Sequence, residues 1–226
     1  RDKYGRKYSV SIKVGDNWKQ LYNLTMTDDG LVTYRNSIYG MTYYYTYDEN
    51  NNLTSKFIAG MSEYPIGYVY DALNQLIRTN DKLDTGKTYT YTYDNGGNIT
   101  SKSTYAYTTG ELGTPTETIT YEYGDAQWKD LLTKYNGQTI TYDTIGNPLT
   151  YREGMTMTWA NGRQLSTVHK GSDVVSYTYN HDGIRTSKTV NGVTTEYFLN
   201  GSTIVAEKTN GKMLTYLFDE SSRPFG

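Results

Sequence analysis

Three groups of side chains in this sequence have types and spacings that could do chemistry. Asp48-x-Asn50-x-Asn52 puts three oxygen-bearing side chains at alternate positions, as the opening of a twelve-residue calcium loop does. The sixth position, however, is Leu53 where the loop's sharp turn needs Gly, and the twelfth is Ala59, which has no carboxylate to offer. Asp94-Asn-Gly-Gly-Asn98 fails in the same way. His169 and His181 are the only histidines, and Cys is absent, so disulfides, Cys-ligated zinc and thiol catalysis are excluded together. Ser166, His169 and Asp173 can be written as a triad, but near neighbours on a strand alternate faces, which works against their meeting. Paired carboxylates could serve glycoside hydrolysis. Here the Asp residues recur at one place in every repeat, whereas an active site needs asymmetry. The residues therefore predict no catalytic group, no metal, no cofactor and no enzyme. Sugar binding by exposed Tyr, or by Trp18, Trp128 or Trp159, stays open, and no particular ligand-binding residue is singled out.

The elements that carry these residues are written repeatedly along the chain. In Tyr91-Thr-Tyr93-Asp94-Asn-Gly-Gly97-Asn-Ile99, Tyr91 and Tyr93 lie two apart and share one face of an extended chain. Asp94 can accept the backbone N–H two residues on and start a turn. Gly97 takes positive φ at little cost, and Ile99 resumes a strand. The same phrase occurs as Tyr45-Thr-Tyr47-Asp48 before Asn51-Asn-Leu53, and as Tyr68-Val-Tyr70-Asp71 before Asn74-Gln-Leu76. The three Asp residues are 23 apart (71 − 48 and 94 − 71). Looser copies follow at Tyr121-Glu-Tyr123-Gly124, at Ile140-Thr-Tyr142-Asp143 with Gly146, at Met157-Thr-Trp159-Ala160 with Gly162, and at Tyr177-Thr-Tyr179-Asn180 with Gly183. A last one begins at Tyr216-Leu-Phe218-Asp219. The slot expected at positive φ holds Asn51, Asn74, Gly97, Gly146, Gly162 and Gly183, only the two types that tolerate a left-handed backbone best.

Composition agrees with a ribbon of hairpins. Of 226 residues 26 are Tyr and 4 are Phe, so the aromatic payload carries hydroxyls that need partners, and an ordinary Leu/Ile/Phe core is not expected. A net charge of −2 leaves no basic footprint for nucleic acid, and no apolar run is long enough to span a membrane. No secretory leader is visible at the start, which implies that one was removed or that the chain begins inside a longer protein. Residues 1–40 read as diverged opening hairpins, 41–100 as the regular array and 101–226 as looser repeats, all within one array over 1–226. Residues 109–115 predict an exposed loop. Trp128, Leu131 and Leu132 after Asp125 have the spacing of one capped helical turn between two hairpins. Asn-Gly pairs at 136–137, 191–192, 200–201 and 210–211 predict tight hairpins. Successive Tyr-x-Tyr pairs are expected to stack as a cross-strand aromatic ladder.

Tyr-x-Tyr-Asp-x-x-Gly-Asn/Arg-Leu resembles the YD repeat of the RHS proteins, over roughly residues 40–226 and more faintly at Tyr4-Gly5-Arg6 and at Thr27-Asp-Asp-Gly30-Leu31. The resemblance implies an all-β fold in which tandem hairpins form one continuous coiled antiparallel sheet, the open part of a hollow shell. It implies a structural segment of a bacterial, secreted or cell-surface polypeptide whose shell houses or presents a C-terminal toxin or effector domain. Its partners would be the remainder of that polypeptide and its cargo. The alternative is an adhesin module that binds glycan through exposed aromatics. In toxin forms the family's core ends in a self-cleavage motif beginning Asp-Pro; no Asp-Pro pair occurs here, so cleavage residues are not carried over.

Size limits what the chain could enclose. About ten hairpins make about twenty strands, or roughly 95 Å of ribbon. A wall around a cargo of about 100 residues needs a circumference of about 150 Å. Alone the chain covers less than one turn, so it must belong to a longer wall or assemble with other copies. Bare sheet edges pair readily. Self-association through them is the expected outcome; a strictly monomeric species in sedimentation at high concentration would count against it.

Overall fold

The computed structural model describes residues 2–6, 8–37, 40–61, 65–218 and 224. Arg1, Lys7 and the last turn from Asp219 to Arg223 lie outside the described residues. Twenty strands are present among those described, as the hairpin count predicts. Two compact units divide at Thr120/Tyr121. The first carries β1 (Ser9–Val14), β2 (Asn17–Met26), β3 (Val32–Ser37), β4 (Thr42–Tyr47), β5 (Leu53–Ile58), β6 (Ile66–Tyr70), β7 (Leu76–Asp81), β8 (Lys87–Tyr93) and β9 (Ile99–Ala106). β10 (Glu117–Glu122) contains the boundary: residues 117–120 pair with β9, while Tyr121 and Glu122 pair with Tyr135 and Lys134. The second unit continues with β11 (Lys134–Tyr135), β12 (Gln138–Thr139), β13 (Thr150–Tyr151), β14 (Met155–Ala160), β15 (Gln164–Lys170), β16 (Asp173–Tyr179), β17 (Arg185–Val190), β18 (Val193–Asn200), β19 (Thr203–Thr209) and β20 (Lys212–Thr215).

The strands form two sheets, β1–β12 and β13–β20, and within each every strand pairs antiparallel with its neighbours in sequence, with no crossover. From β14 to β18 two kinds of turn alternate, whereas in the first unit connections such as those from Asn36 to Thr42 and from Asp81 to Lys87 are longer. Two-residue loops close one side, for example Asn191-Gly192 between Val190 and Val193, both at positive φ. At 200–201 the expected pair is displaced by one: Asn200 still pairs with Thr203, so Gly201 and Ser202 form the loop. Five-residue turns following Tyr-x-Tyr close the other side, and each is preceded by a β-bulge. Tyr47 pairs with Leu53, Tyr70 with Leu76, Tyr93 with Ile99, Trp159 with Leu165 and Tyr179 with Arg185, each one residue out of register with the pair before it. A bulge bends its strand and re-aims a side chain. The skipped residue is often Thr, whose hydroxyl meets that of the Thr between the two tyrosines, as in Thr46–Thr54 at 2.9 Å and Thr178–Thr186 at 2.9 Å.

Each sheet has two unlike faces. Tyr45 and Tyr47, Tyr91 and Tyr93, and Tyr177 and Tyr179 are half-buried, and the Thr between each pair is exposed. Only Ile66 and Ile140 are buried hydrophobics among the described residues; the other buried side chains are polar. Among the described residues an ordinary hydrophobic core does not form.

The regularity lapses from residue 107 to 149. The exposed loop at 109–116 is tied down just before its start: Thr88, fully buried, exchanges hydrogen bonds with the Thr108 backbone, and Arg78 donates to the Thr108 and Gly110 carbonyls. Asp125 caps as the spacing suggests, accepting from the Gln127 and Trp128 N–H groups at 2.8 Å. Only one reverse turn follows, Leu131 N–H to the Trp128 carbonyl, and no helix forms. Between β12 and β13 the regular ladder is replaced by a single bridge, Tyr142 to Pro148. Proline has no N–H to give a ladder, and pairing resumes through Leu149 N–H to the Thr141 carbonyl. Where one unbroken ladder is expected, it is divided here.

Candidate functional site

The five-residue turns are the chain's recurring constellation of charged and polar groups. At Asp94, Oδ1 accepts from the Gly96 N–H (2.8 Å) and the Asn98 N–H (2.9 Å), and Oδ2 accepts from Asn98 Nδ2 (3.0 Å). The backbone closes beneath it, Asp94 N–H to the Asn98 carbonyl and Gly97 N–H to the Asp94 carbonyl. Asp48 and Asp143 make the same set with Asn50 and Asn52, and with Ile145 and Asn147. Asp71 makes its two backbone contacts with Leu73 and Gln75, and Asn180 does so with Asp182 and Ile184. The faint opening repeats are built alike: Asp2 accepts from the Tyr4 and Arg6 N–H groups, and Thr27 Oγ1 accepts from the Leu31 N–H. Asn51, Asn74, Gly97, Gly146, Gly162 and Gly183 all have positive φ, between 60° and 84°.

Two ties join one turn to the next. The second aromatic of each pair reaches back to the carbonyl of the residue that ends the preceding turn. Tyr47 Oη donates to Val32 O (2.9 Å), Tyr70 to Leu53 O (3.0 Å), Tyr93 to Leu76 O (2.7 Å) and Tyr179 to Leu165 O (2.9 Å). Tyr142 donates to Leu132 O, and Trp159 uses its indole Nε1 in the same way on Pro148 O. The other tie runs forward from the residue four past the turn-opening Asp. Asn52 Nδ2 donates to Asn74 Oδ1, Asn147 Nδ2 to Gly162 O, and Arg6 to the Thr27 and Asp28 carbonyls. A Cβ on Gly97 would stand 3.4 Å from Gln75 Nε2, and one on Gly183 would stand 3.3 Å from Gln164 Nε2. At Gly146 the Trp128 ring fills the place such a side chain takes elsewhere, and a Cβ there would overlap it. Trp128 thus packs on the turn by ring contact where the other repeats reach it with Asn, Gln or Arg. Sequence reasoning missed these forward ties, although Arg, Asn and Gln recur at that position.

The stacked aromatic ladder is not what joins the repeats. Among the described residues ring contacts fall at Tyr34–Tyr44, Tyr44–Phe57, Tyr121–Tyr135 and Tyr135–Tyr151, and Tyr47, Tyr70 and Tyr93 act through their hydroxyls. Equivalent tyrosines one hairpin apart are two strand spacings apart, about 9.6 Å. Aromatic pairs need centroids within about 7 Å.

The other candidates are not assembled. The Asp48 oxygens face N–H donors, and Asn52 presents its amide nitrogen to them, the opposite of a cation site. His169 pairs with Val174 while Asp173 pairs with Lys170, so this His and Asp lie on opposite faces. His181 is exposed beside Asp182. Trp18 is 70% exposed and Trp128 45% exposed; Trp159 is half-buried and committed to Pro148. A cleft of about 420 Å³ opens beside Trp128, lined also by Asp125, Gln127, Tyr142, Asp143 and Thr144.

Ionisation follows this geometry. The Asn98 and Asn52 side-chain amides, with the turn N–H groups, hold the Asp94 and Asp48 carboxyls below the usual range. Burial pushes the Tyr47, Tyr70, Tyr93 and Tyr142 phenols up. A depressed carboxyl stabilises the fold above its unfolded pKa, near 4, and that contribution is lost as pH falls through the folded value. A raised phenol contributes below about pH 10 and ceases to as pH rises through its folded value. Resistance to urea unfolding should therefore fall below about pH 4 and above about pH 10. Asp94→Asn, whose Oδ1 can still accept from both backbone N–H groups as that of Asn180 does, should fold and blunt the acid limb. An unchanged acid limb would show that the turn carboxylates do not carry it. Tyr93→Phe removes one inter-turn tie and should cost about 1 kcal/mol by urea titration. Parent-like stability would remove the tie from the account of how repeats hold together.

No family model matches the chain. Over 76 residues, 32% of the chain, it is 41% identical to the tRNA nuclease WapA of Bacillus subtilis and to the tRNA3(Ser)-specific nuclease WapA of Bacillus spizizenii. That match spans 3% of those relatives' length. Among solved structures it superposes on the TcdB2–TccC3 complex without its hypervariable C-terminal region, with a TM-score of 0.55 and 14% identity over 96% of this chain and 15% of that one. The Tc holotoxin pore of Photorhabdus luminescens aligns with a TM-score of 0.53 and 16% identity over 93% of this chain and 13% of that one. Sequence-ordered hairpins, bulged Tyr-x-Tyr strands and Asp-closed turns, repeated along both units, give this chain the open, RHS-type antiparallel β-fold of those structures.

Proposed function

We propose that the chain is wall material, a stretch of β-shell that houses or presents a toxin or effector domain belonging to the same longer secreted polypeptide. The observation that carries this reading is the tyrosine face: a half-buried aromatic surface, repeated hairpin after hairpin, with Ile66 and Ile140 the only buried hydrophobics among the described residues. A sheet face of that composition is stabilised when something packs on it. The polar groups of the turns are consumed in holding turn to turn, which suits a scaffold and leaves none of them poised for catalysis. Exposed edges such as β20, with Met213 and Leu214 in solvent, suit pairing with adjoining repeats or with another copy.

The Trp128 cleft supports a second reading, a glycan-binding module, because it joins an exposed indole to unpartnered polar groups such as Gln127. One experiment separates the two. The intact reading frame is digested with a nonspecific protease, with and without prior mild unfolding, and the fragments are identified by mass spectrometry. The wall reading expects a compositionally distinct domain to survive as long as the repeats do and to be cut at once after unfolding. Prompt cleavage of that domain in the folded protein would overturn it. Saturable glycan binding lost in Trp128→Ala, with no protected domain, would favour the module.

A further inference from the structure

The residue five past the turn-opening position is Val32, Leu53, Leu76, Ile99, Pro148 or Leu165 in six turns, and Arg185 in the turn opened by Asn180. Arg185 pairs with Tyr179 and lies against the tyrosine face, its guanidinium carbon 4.1 Å from the Tyr177 ring centroid and 5.8 Å from that of Tyr179. Its Nε is buried and has no hydrogen-bond acceptor. Lys188, three residues on, sits directly opposite Tyr177 in the ladder, on the same face. Neither cation forms an ion pair within the described residues. The acids of this face are occupied elsewhere: Asp173 accepts from Asn191 Nδ2, and Glu207 interacts with Tyr216.

A guanidinium N–H removed from water without an acceptor is unfavourable, and the aromatic rings that flank it attract the cation but supply no lone pair in its plane. The group that suits it is an oxyanion approaching edge-on, and a carboxylate does this with paired oxygens. Around the two cations the same face presents half-buried Leu165, Val168, Val175, Tyr177 and Tyr179. An occupant must therefore bring apolar contact as well as negative charge, which suits an extended polypeptide better than a free inorganic anion.

We propose that Arg185 and Lys188 form a carboxylate-binding site on the tyrosine face of the second unit, which receives an Asp or Glu side chain of an acidic polypeptide segment. The proposal rests on the reading of the tyrosine face as the side that meets cargo, and names the chemistry of what docks there. Where those six turns set a half-buried apolar residue on the sheet, the turn opened by Asn180 trades that contact for an anchor.

The test uses the full chain labelled with ¹⁵N and follows the arginine Nε–H resonances during titration with poly-glutamate, with poly-glutamine, poly-lysine and dextran sulfate as parallel probes. Poly-glutamate should shift the Arg185 Nε–H signal saturably and in a salt-sensitive manner, while poly-glutamine and poly-lysine leave it in place. Arg185→Leu, which restores the residue type of the other turns, should bind poly-glutamate at least about tenfold more weakly. Its melting temperature should be equal to or above the parent's, because a half-buried cation with one buried, unpaired N–H has been replaced by an apolar side chain. Lys188→Gln should weaken binding less and leave Nε–H responsive. Equal poly-glutamate affinity in the parent and Arg185→Leu would overturn the site. A response to dextran sulfate with none to poly-glutamate would overturn the polypeptide as its occupant. Poly-glutamate binding at Arg185 in a protein whose downstream domain proves unprotected would leave the site standing and remove the shell. A protected domain with no poly-glutamate response would do the reverse.

Discussion

A tyrosine hydroxyl donated to the carbonyl that ends the preceding turn is the interaction on which the rest of this structure depends. It recurs at Tyr47, Tyr70, Tyr93, Tyr142 and Tyr179, and Trp159 reproduces it with an indole N–H. The bond requires the ring to lean onto the adjacent strand, as Tyr47 does from β4 to β3 and Tyr93 from β8 to β7. The bulge before each turn supplies that lean, and the Asp-closed loop sets the position of the bulge. The turn-opening carboxylate, the left-handed Gly or Asn and the tyrosine thus form one mechanical unit. This also accounts for a composition in which Tyr outnumbers Phe 26 to 4: a phenyl ring would cover the same surface and leave the carbonyl unmet.

Stability in such a chain is spread along its length. With Ile66 and Ile140 the only buried hydrophobics among the described residues, no central core gathers distant parts together. Each hairpin leans on its neighbours through ladder bonds, the hydroxyl tie and the forward-reaching Asn, Gln or Arg, so a nearest-neighbour description suits it better than a globular one. That arrangement leaves the tyrosine face half-buried along its length.

Departures from the repeat are where individuality enters. Between residues 107 and 149 the register loosens, Arg78 and Thr88 pin a long loop, and Trp128 lies on Gly146 where a neighbouring turn would otherwise reach. At Arg185 a cation stands in an aliphatic slot with a nitrogen unpaired. A side chain repeated in every hairpin serves the hairpin; one that breaks the pattern is free to serve something else.

Much of this was legible in the residues alone, because the signals are local. Positive φ at Asn51, Asn74 and Gly97 follows from the cost of a Cβ in the left-handed region, and Asp at each turn follows from the reach of a short carboxylate. Strand count, sequential pairing and the lack of an ordinary core follow from period and composition. Three matters were settled only in three dimensions. Tyrosines that share a face by alternation do not stack from hairpin to hairpin, because two strand spacings exceed ring-contact range. The Trp128, Leu131 and Leu132 spacing suggested a helical turn, but only Asp125 capping and one reverse turn form, since the chain must feed straight back into β11. The acceptor of each tyrosine hydroxyl and the orphan nitrogen of Arg185 depend on which strands lie side by side and where each bulge falls. A sequence encodes the conformation of a turn within a few residues, but what one turn offers the next is decided by register.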